Sequence, residues 1–217
     1  FLLTKVNESP VITLFLYYVL PRSFTTFCFQ YLCNKVNYVV RKSLENAVQM
    51  EYKALTDDMT GAYNKNRLIE LLNNRERDGQ DIAVIYWDVN QLKYVNDNWG
   101  HLCGDRLITE VAKTIQSIAR EEDIVIRYGG DEFLLYVANG TKEIAEQLIE
   151  AWKVRLEEEK KRENYEFPVS ASVGYALGKH SQLKDIIVAA DKDMYANKRI
   201  RRESANQRDS KKGVNES

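Results

Sequence analysis

The amino-acid sequence predicts an α/β sandwich, with helices packed on a mixed sheet and a connecting helix ahead of it. Three observations carry this. Helical and strand-like apolar patterns interleave from residue 66 to residue 199. Two strand-like runs, 124–128 and 132–137, flank Gly129-Gly130-Asp131, a strong hairpin signal. A cluster of breaker and cap residues, Thr56-Asp57-Asp58, closes an amphipathic stretch just upstream.

The 217 residues are 44% hydrophobic and 29% charged, which suits one ordinary domain plus about 40 to 60 further residues. Lys and Arg number 31 against 32 for Asp and Glu, a net charge of −1, which argues against binding duplex DNA through bulk positive charge. Three cysteines and two histidines make no Cys/His zinc site of usual spacing. The odd cysteine count gives no disulfide framework and points to a reducing compartment. Any metal is therefore expected on oxygen ligands.

The chain begins at Phe1 and is expected to be a fragment of a longer protein. Residues 11–20 carry no charge, Pro21 and Arg22 interrupt, and an apolar aromatic stretch resumes to Cys33. Residues 1–35 thus read as the end of an upstream region. Two readings stay open: a core strand and helix of a sensory domain, or a membrane helix that tethers the chain. Lys35, Arg41 and Lys42 suit a cytoplasmic flank for the second. A cleaved signal peptide is disfavoured, since no basic start or small-residue cleavage site frames the run.

Residues 36–53 predict a connecting helix, with Val36, Val39, Val40, Leu44 and Val48 near heptad spacing, able to pair with a copy of itself. The compact domain is expected over 54–202. Within it, helices are predicted at 66–74, 91–99 and 104–120, the last with Leu107, Ile108, Val111, Ile115 and Ile118 on one face. Strands are predicted at 82–87, 124–128, 132–137 and 169–177. A long helix at 142–162 and a final helix at 183–199 complete the domain, and 203–217 reads as a polar, disordered tail.

Asp88 ends a buried apolar strand, where a strand edge delivers a side chain into a crevice. Asp131 and Glu132 follow two glycines, which permit backbone angles closed to other residues and let a bulky ligand approach the main chain. If the strands are neighbours, Asp88 and Asp131 converge, and such a pair can hold Mg²⁺ together with substrate phosphates. On spacing alone, a plain turn and a helix cap are the better explanation of these residues.

The motifs settle more. Arg127-Tyr128-Gly129-Gly130-Asp131-Glu132-Phe133 resembles the signature of the GGDEF family, the diguanylate cyclases. The resemblance runs from about Leu55 to Arg202. Leu55-Thr56-Asp57-Asp58-Met59-Thr60-Gly61-Ala62-Tyr63-Asn64 resembles the family's opening motif, softened at Met59 and Ala62. The run from Asp88 to Asp97 resembles the metal and guanine motif, with Asn90 where many relatives carry a second Asp. Gly100-His101, Gly104-Asp105, Ser170-Ala171-Ser172-Val173-Gly174 and the stretch from Ala190 to Lys198 follow in family order.

That resemblance implies a palm-like mixed sheet flanked by helices, of the nucleotidyl-cyclase and polymerase-palm type. It implies condensation of two GTP into cyclic di-GMP with release of two pyrophosphates, in bacterial second-messenger signalling. By family position, Asp88, the Val89 carbonyl and Asp131 would bind two Mg²⁺ (or Mn²⁺) per active site. Asp131 or Glu132 would take the proton from the attacking hydroxyl. Asn96 and Asp105 would read guanine, a buried carboxylate there rejecting adenine. Lys93, Lys198 and Arg202 would contact phosphates beside Gly129 and Gly130. Arg120 and Asp123 resemble the inhibitory site, where cyclic di-GMP feeds back. The implied partners are GTP, cyclic di-GMP and a second copy of the chain, with no nucleic acid. The catalytic domain would be cytoplasmic, anchored at the inner membrane if 11–33 span it. Binding-only and purely structural dimerisation modules are the alternatives. A broken signature would favour them, and the signature is whole. His180 and His101 are given no catalytic role, and Cys103 reads as a packing residue.

Overall fold

A computed structural model describes Val11 and residues 14–214, with the backbone alone for 15, 16, 20 and 201–214. The chain divides into two units, Phe1–Tyr52 and Lys53–Ser217. In the first, a π-helical turn, Phe15–Val19, leads into a long helix, α1 (Leu20–Leu55). This is where a strand was one of the two expectations. Pro21 follows the π-helical turn directly and the helix runs on through it, the widened turn lying where a proline ring would otherwise crowd the carbonyl one turn back. Phe24, Phe27, Phe29, Leu32, Val36, Val40, Leu44 and Val48 are all exposed. Among the described residues no helix is long and apolar enough to cross a membrane.

The second unit opens with α2 (Lys65–Asn73), whose N-cap Asn64 accepts from the Asn66 N–H. Then follow β1 (Asp81–Val89), α3 (Leu92–Trp99), α4 (His101–Ile118), β2 (Ile124–Arg127) and β3 (Glu132–Ala138). A Thr141-capped helix, α5 (Lys142–Glu163), leads to β4 (Ala171–Lys179) and α6 (Leu183–Val214). Helix α6 continues to Val214, into the stretch expected to be a disordered tail. No proline interrupts 200–217 and the first glycine is Gly213, so nothing local ends the helix sooner.

The strands lie in the order β2-β3-β1-β4. Every ladder is antiparallel, where the sequence predicts a mixed sheet. The reason is connectivity. The helical crossovers β1 to β2 and β3 to β4 each join strands of like direction, but each skips over one neighbour, so parallel strands never become adjacent.

Alternation along β1 explains its unbroken apolar run. Ile82, Val84 and Tyr86 face Leu68 and Leu71 of α2 and Ile186, Ala190 and Met194 of α6. Ala83, Ile85, Trp87 and Val89 face Leu107, Val111 and Ile115 of α4 and Ala145, Leu148 and Trp152 of α5. A strand covered on both faces reads as continuous hydrophobicity. Asp88 is where that run meets solvent. At the far end of the sheet, His180 is buried, with Nδ1 3.0 Å from the Tyr136 hydroxyl and Nε2 2.9 Å from the Leu71 carbonyl. It is a structural tie. Cys103 is half-buried against the α4–α5 core, and Cys28, Cys33 and Cys103 are all free thiols.

Candidate active site

The β2–β3 hairpin closes through Tyr128–Asp131, with the Tyr128 and Gly129 N–H groups donating to the Glu132 carbonyl at 2.8 and 3.2 Å. Neither Gly129 nor Gly130 takes a positive φ, contrary to the angular role expected of them. Gly129 is needed for room: a Cβ there would lie 2.2 Å from Glu132 Oε2. Gly130 has nothing within 4 Å of such a Cβ, so its backbone is open to an approaching ligand.

Strand register sets the acidic groups. Asp88 of β1 lies directly opposite Glu132 of β3 and, on the other side, opposite Ser172 of β4. Directly opposed residues of an antiparallel pair point to one face, so Asp88 and Glu132 are neighbours at the strand end. Asp131 adjoins them through its backbone, accepting the Val89 N–H at 2.9 Å. Its half-buried carboxylate has no hydrogen bond or ion pair among the described residues. The Asp88 carboxylate is already bound by a cation, the ammonium of Lys198 on α6.

Among the described residues no three or more His, Cys, Asp or Glu side chains gather into a metal-holding group. The donors present still fit a hard divalent ion. Asp88 accepts a cation, Asp131 is uncommitted, and Mg²⁺ takes few protein oxygens when phosphates complete its shell.

Asn90, which by resemblance stands where many relatives carry a second Asp, is tied to the start of β4. Its amide bonds the Ser170 hydroxyl at 3.3 Å and accepts the Ser172 hydroxyl at 2.9 Å. An amide can donate and accept at once, as a carboxylate cannot. Gln91 then adopts φ 59°, a left-handed turn that reverses the chain into α3.

Asn96 of α3 lies against Gly104, the residue before Asp105, at the α3–α4 junction. A Cβ at Gly104, next to Asp105, would lie 2.0 Å from Asn96 Oδ1. The Asp105 carboxylate is exposed, not buried as expected, because Leu107, Ile108 and Val111 take the inward face of α4. Lys93 is exposed on α3. The side chain of Arg202 lies outside the described residues.

Arg120 and Asp123 engage each other. Asp123, its side chain 0% exposed, accepts from Arg120 N, Nε and Nη2 at 3.0, 3.0 and 2.8 Å and from Ala138 N at 3.2 Å. Arg120 also donates to the Ala138 carbonyl. The paired Asp123 raises the Arg120 pKa further and keeps it charged. A ligand could reach Asp123 only after Arg120 swung aside.

Two contacts escape a reading of the sequence. The Tyr86 hydroxyl donates to Glu132 Oε1 at 2.8 Å, although a Tyr in an apolar strand reads simply as core. Arg127 Nη1 meets both Asp57 oxygens at 3.0 and 3.1 Å, and its Nη2 meets the Gly130 carbonyl at 2.7 Å. The opening motif thereby braces the signature turn across 70 residues. Burial disfavours the Asp57 charge, but hydrogen bonds from Thr60 and Arg127 outweigh it and hold the pKa below the usual value.

Fold and site together define a palm-like α/β domain that gathers carboxylates at a strand end beside a hairpin turn of bare backbone. The family described as "Diguanylate cyclase, GGDEF domain" matches residues 54–204, and the chain belongs to it. The probable diguanylate cyclase DgcJ of Escherichia coli (strain K12) is 34% identical over 167 residues, 71% of this chain and 33% of that protein. The diguanylate cyclase VdcA of Vibrio cholerae is 32% identical over 124 residues, 57% of this chain and 37% of that protein. The chain thus spans about a third of the length of these relatives. Among solved structures, the coiled coil and GGDEF domain of DgcB from Caulobacter crescentus, in complex with c-di-GMP, is similar. Its TM-score is 0.65 at 26% identity, over 79% of this chain and 94% of that one.

Proposed function

We propose that this chain is the catalytic part of a diguanylate cyclase, condensing two GTP into cyclic di-GMP with release of two pyrophosphates. The observation that carries the reading is Asp88 opposite Glu132, with Asp131 beside them, at the open Gly129-Gly130 turn. One 3′-hydroxyl must attack the α-phosphate of the other GTP in line with the departing pyrophosphate, so positioning and charge neutralisation dominate. Asp131 or Glu132 accepts the hydroxyl proton. Asn96 and Asp105 offer acceptors to guanine N1 and N2, which adenine cannot satisfy. Lys93, Lys198 and Arg202 face phosphate. Asp88, Asp131 and the Val89 carbonyl are suited to two Mg²⁺ or Mn²⁺ ions, which when bound would lower the hydroxyl's pKa and offset pyrophosphate charge.

One domain holds one GTP, so two copies must meet about a two-fold axis. The exposed seam of Val36, Val40, Leu44 and Val48 on α1 is suited to hold them near each other. Feedback by cyclic di-GMP at Arg120 requires the guanidinium to leave Asp123. The catalytic unit would work in the cytoplasm, and the described part of the stretch before residue 36 offers no helix apolar enough to carry it across a membrane. Incubating purified protein with GTP and Mg²⁺ and resolving nucleotides chromatographically tests the activity. Cyclic di-GMP is expected, and its absence with folded protein rejects the assignment. Repeating the assay over protein concentration, with and without residues 1–53, tests association. Specific activity should rise with concentration, and at lower concentrations in the longer chain.

A further inference from the structure

We propose that Tyr86 is a positioning residue for the Glu132 carboxylate, and thereby for turnover at this site. The inference rests on the diguanylate cyclase reading above.

Ile82 and Val84 share Tyr86's face of β1, so bulk alone would call for another aliphatic side chain there. A phenol in an apolar layer is costly unless its hydroxyl finds a partner. Tyr86 is 2% exposed, and its hydroxyl's partner is Glu132 Oε1 at 2.8 Å. The register makes this contact natural. Asp88 opposes Glu132 and Tyr86 opposes Leu134, so Tyr86 and Glu132 are diagonal neighbours on one face.

The two carboxylate oxygens are held by different devices. Oε1 takes the phenol, and Oε2 occupies the space that a side chain at Gly129 would fill. The phenol is itself held. Its ring meets Tyr128 edge-on at 6.0 Å, and the Lys65 ammonium lies 5.1 Å from the Tyr128 ring centroid. A phenol O–H donates and a carboxylate oxygen accepts, so the bond runs from Tyr86 to Glu132. A carboxylate that must serve one proton transfer gains from being fixed before substrate arrives.

The test is Tyr86→Phe, which removes one hydroxyl and keeps the ring. Wild type and variant are compared for melting temperature, for kcat and KM with GTP, and by crystal structure. The expected result is kcat lower by about tenfold or more, the effect of one lost hydrogen bond to a charged group. KM should stay within about twofold, with the Glu132 carboxylate displaced from Gly129. Wild-type kcat in the folded variant, a change confined to KM, or an unmoved Glu132 would overturn the proposal. If the wild type makes no cyclic di-GMP, the cyclase reading fails by itself. The position of Glu132 in the Tyr86→Phe crystal then decides the remaining question, an unmoved carboxylate counting against Tyr86.

Discussion

The ammonium of Lys198 binds the carboxylate of Asp88, joining two residues 110 positions apart in the chain. Both side chains are only about a fifth exposed, at 19% and 21%. One carboxylate and one ammonium, each assigned to substrate or metal by family position, thus neutralise each other in the free protein. A divalent cation bound at Asp88 would compete with Lys198 for that carboxylate, and Lys198 would then be available to phosphate.

Lys198→Met should therefore have two opposite effects. Without metal the pair is lost, and the melting temperature should fall by about 2–4 °C, the effect of about 1 kcal/mol in a domain this size. Mn²⁺ binding without nucleotide should tighten, by up to about tenfold, because the competing charge is gone. Calorimetric titration of Mn²⁺ reads this directly. Weakened Mn²⁺ binding in the variant would contradict competition.

Asp131→Ala and Glu132→Ala should each lower cyclic di-GMP synthesis by at least about a hundredfold. They should differ in stability. Glu132→Ala strands the Tyr86 hydroxyl and is expected to cost about 1–2 kcal/mol. Asp131, with no side-chain partner among the described residues, should change stability by less than about 0.5 kcal/mol. Urea unfolding beside the activity assay checks both halves. Wild-type turnover in either variant would remove that residue from the chemistry.

Asp105→Ala should relax base choice with little effect on the fold. The carboxylate is exposed, so stability is expected to stay within about 0.5 kcal/mol. Losing an acceptor that only guanine satisfies should reduce the GTP-over-ATP preference by about tenfold or more. Competition assays with both nucleotides measure the ratio, and an unchanged ratio counts against the role.

Asp57 should give the domain an acid-labile component. Its pKa lies below 3.8 in the folded state, so its contribution is complete above that value and is lost as pH falls through the lower folded one. Asp57→Asn should cost about 1 kcal/mol at neutral pH and flatten the decline in stability below about pH 4. Melting curves of both proteins from pH 7 to pH 2 test this. Parallel curves throughout would show that the Arg127 brace carries no such stability.

Between residues 65 and 199 the sequence alone determined the element types and most of their limits, and it determined the family. The apolar run 82–87, the Gly129-Gly130-Asp131 turn and the helical face of Leu107, Val111 and Ile115 are local patterns, legible without a fold. Tertiary structure decided which groups meet. Asp88 is opposed by Glu132, while Asp131 reaches β1 through its backbone carbonyl, because strand register is set by pairing across 44 positions. Gly129 matters for the space it leaves to Glu132, a contact that no backbone-angle rule anticipates. Tyr86 reads as core by its neighbours and acts as a donor only because β3 lies beside it. Lys198 sits on Asp88 because α6 packs across the sheet. Periodicity reports how each segment meets its immediate surroundings. Register, burial of charge and the pairing of distant side chains exist only once the segments are packed together.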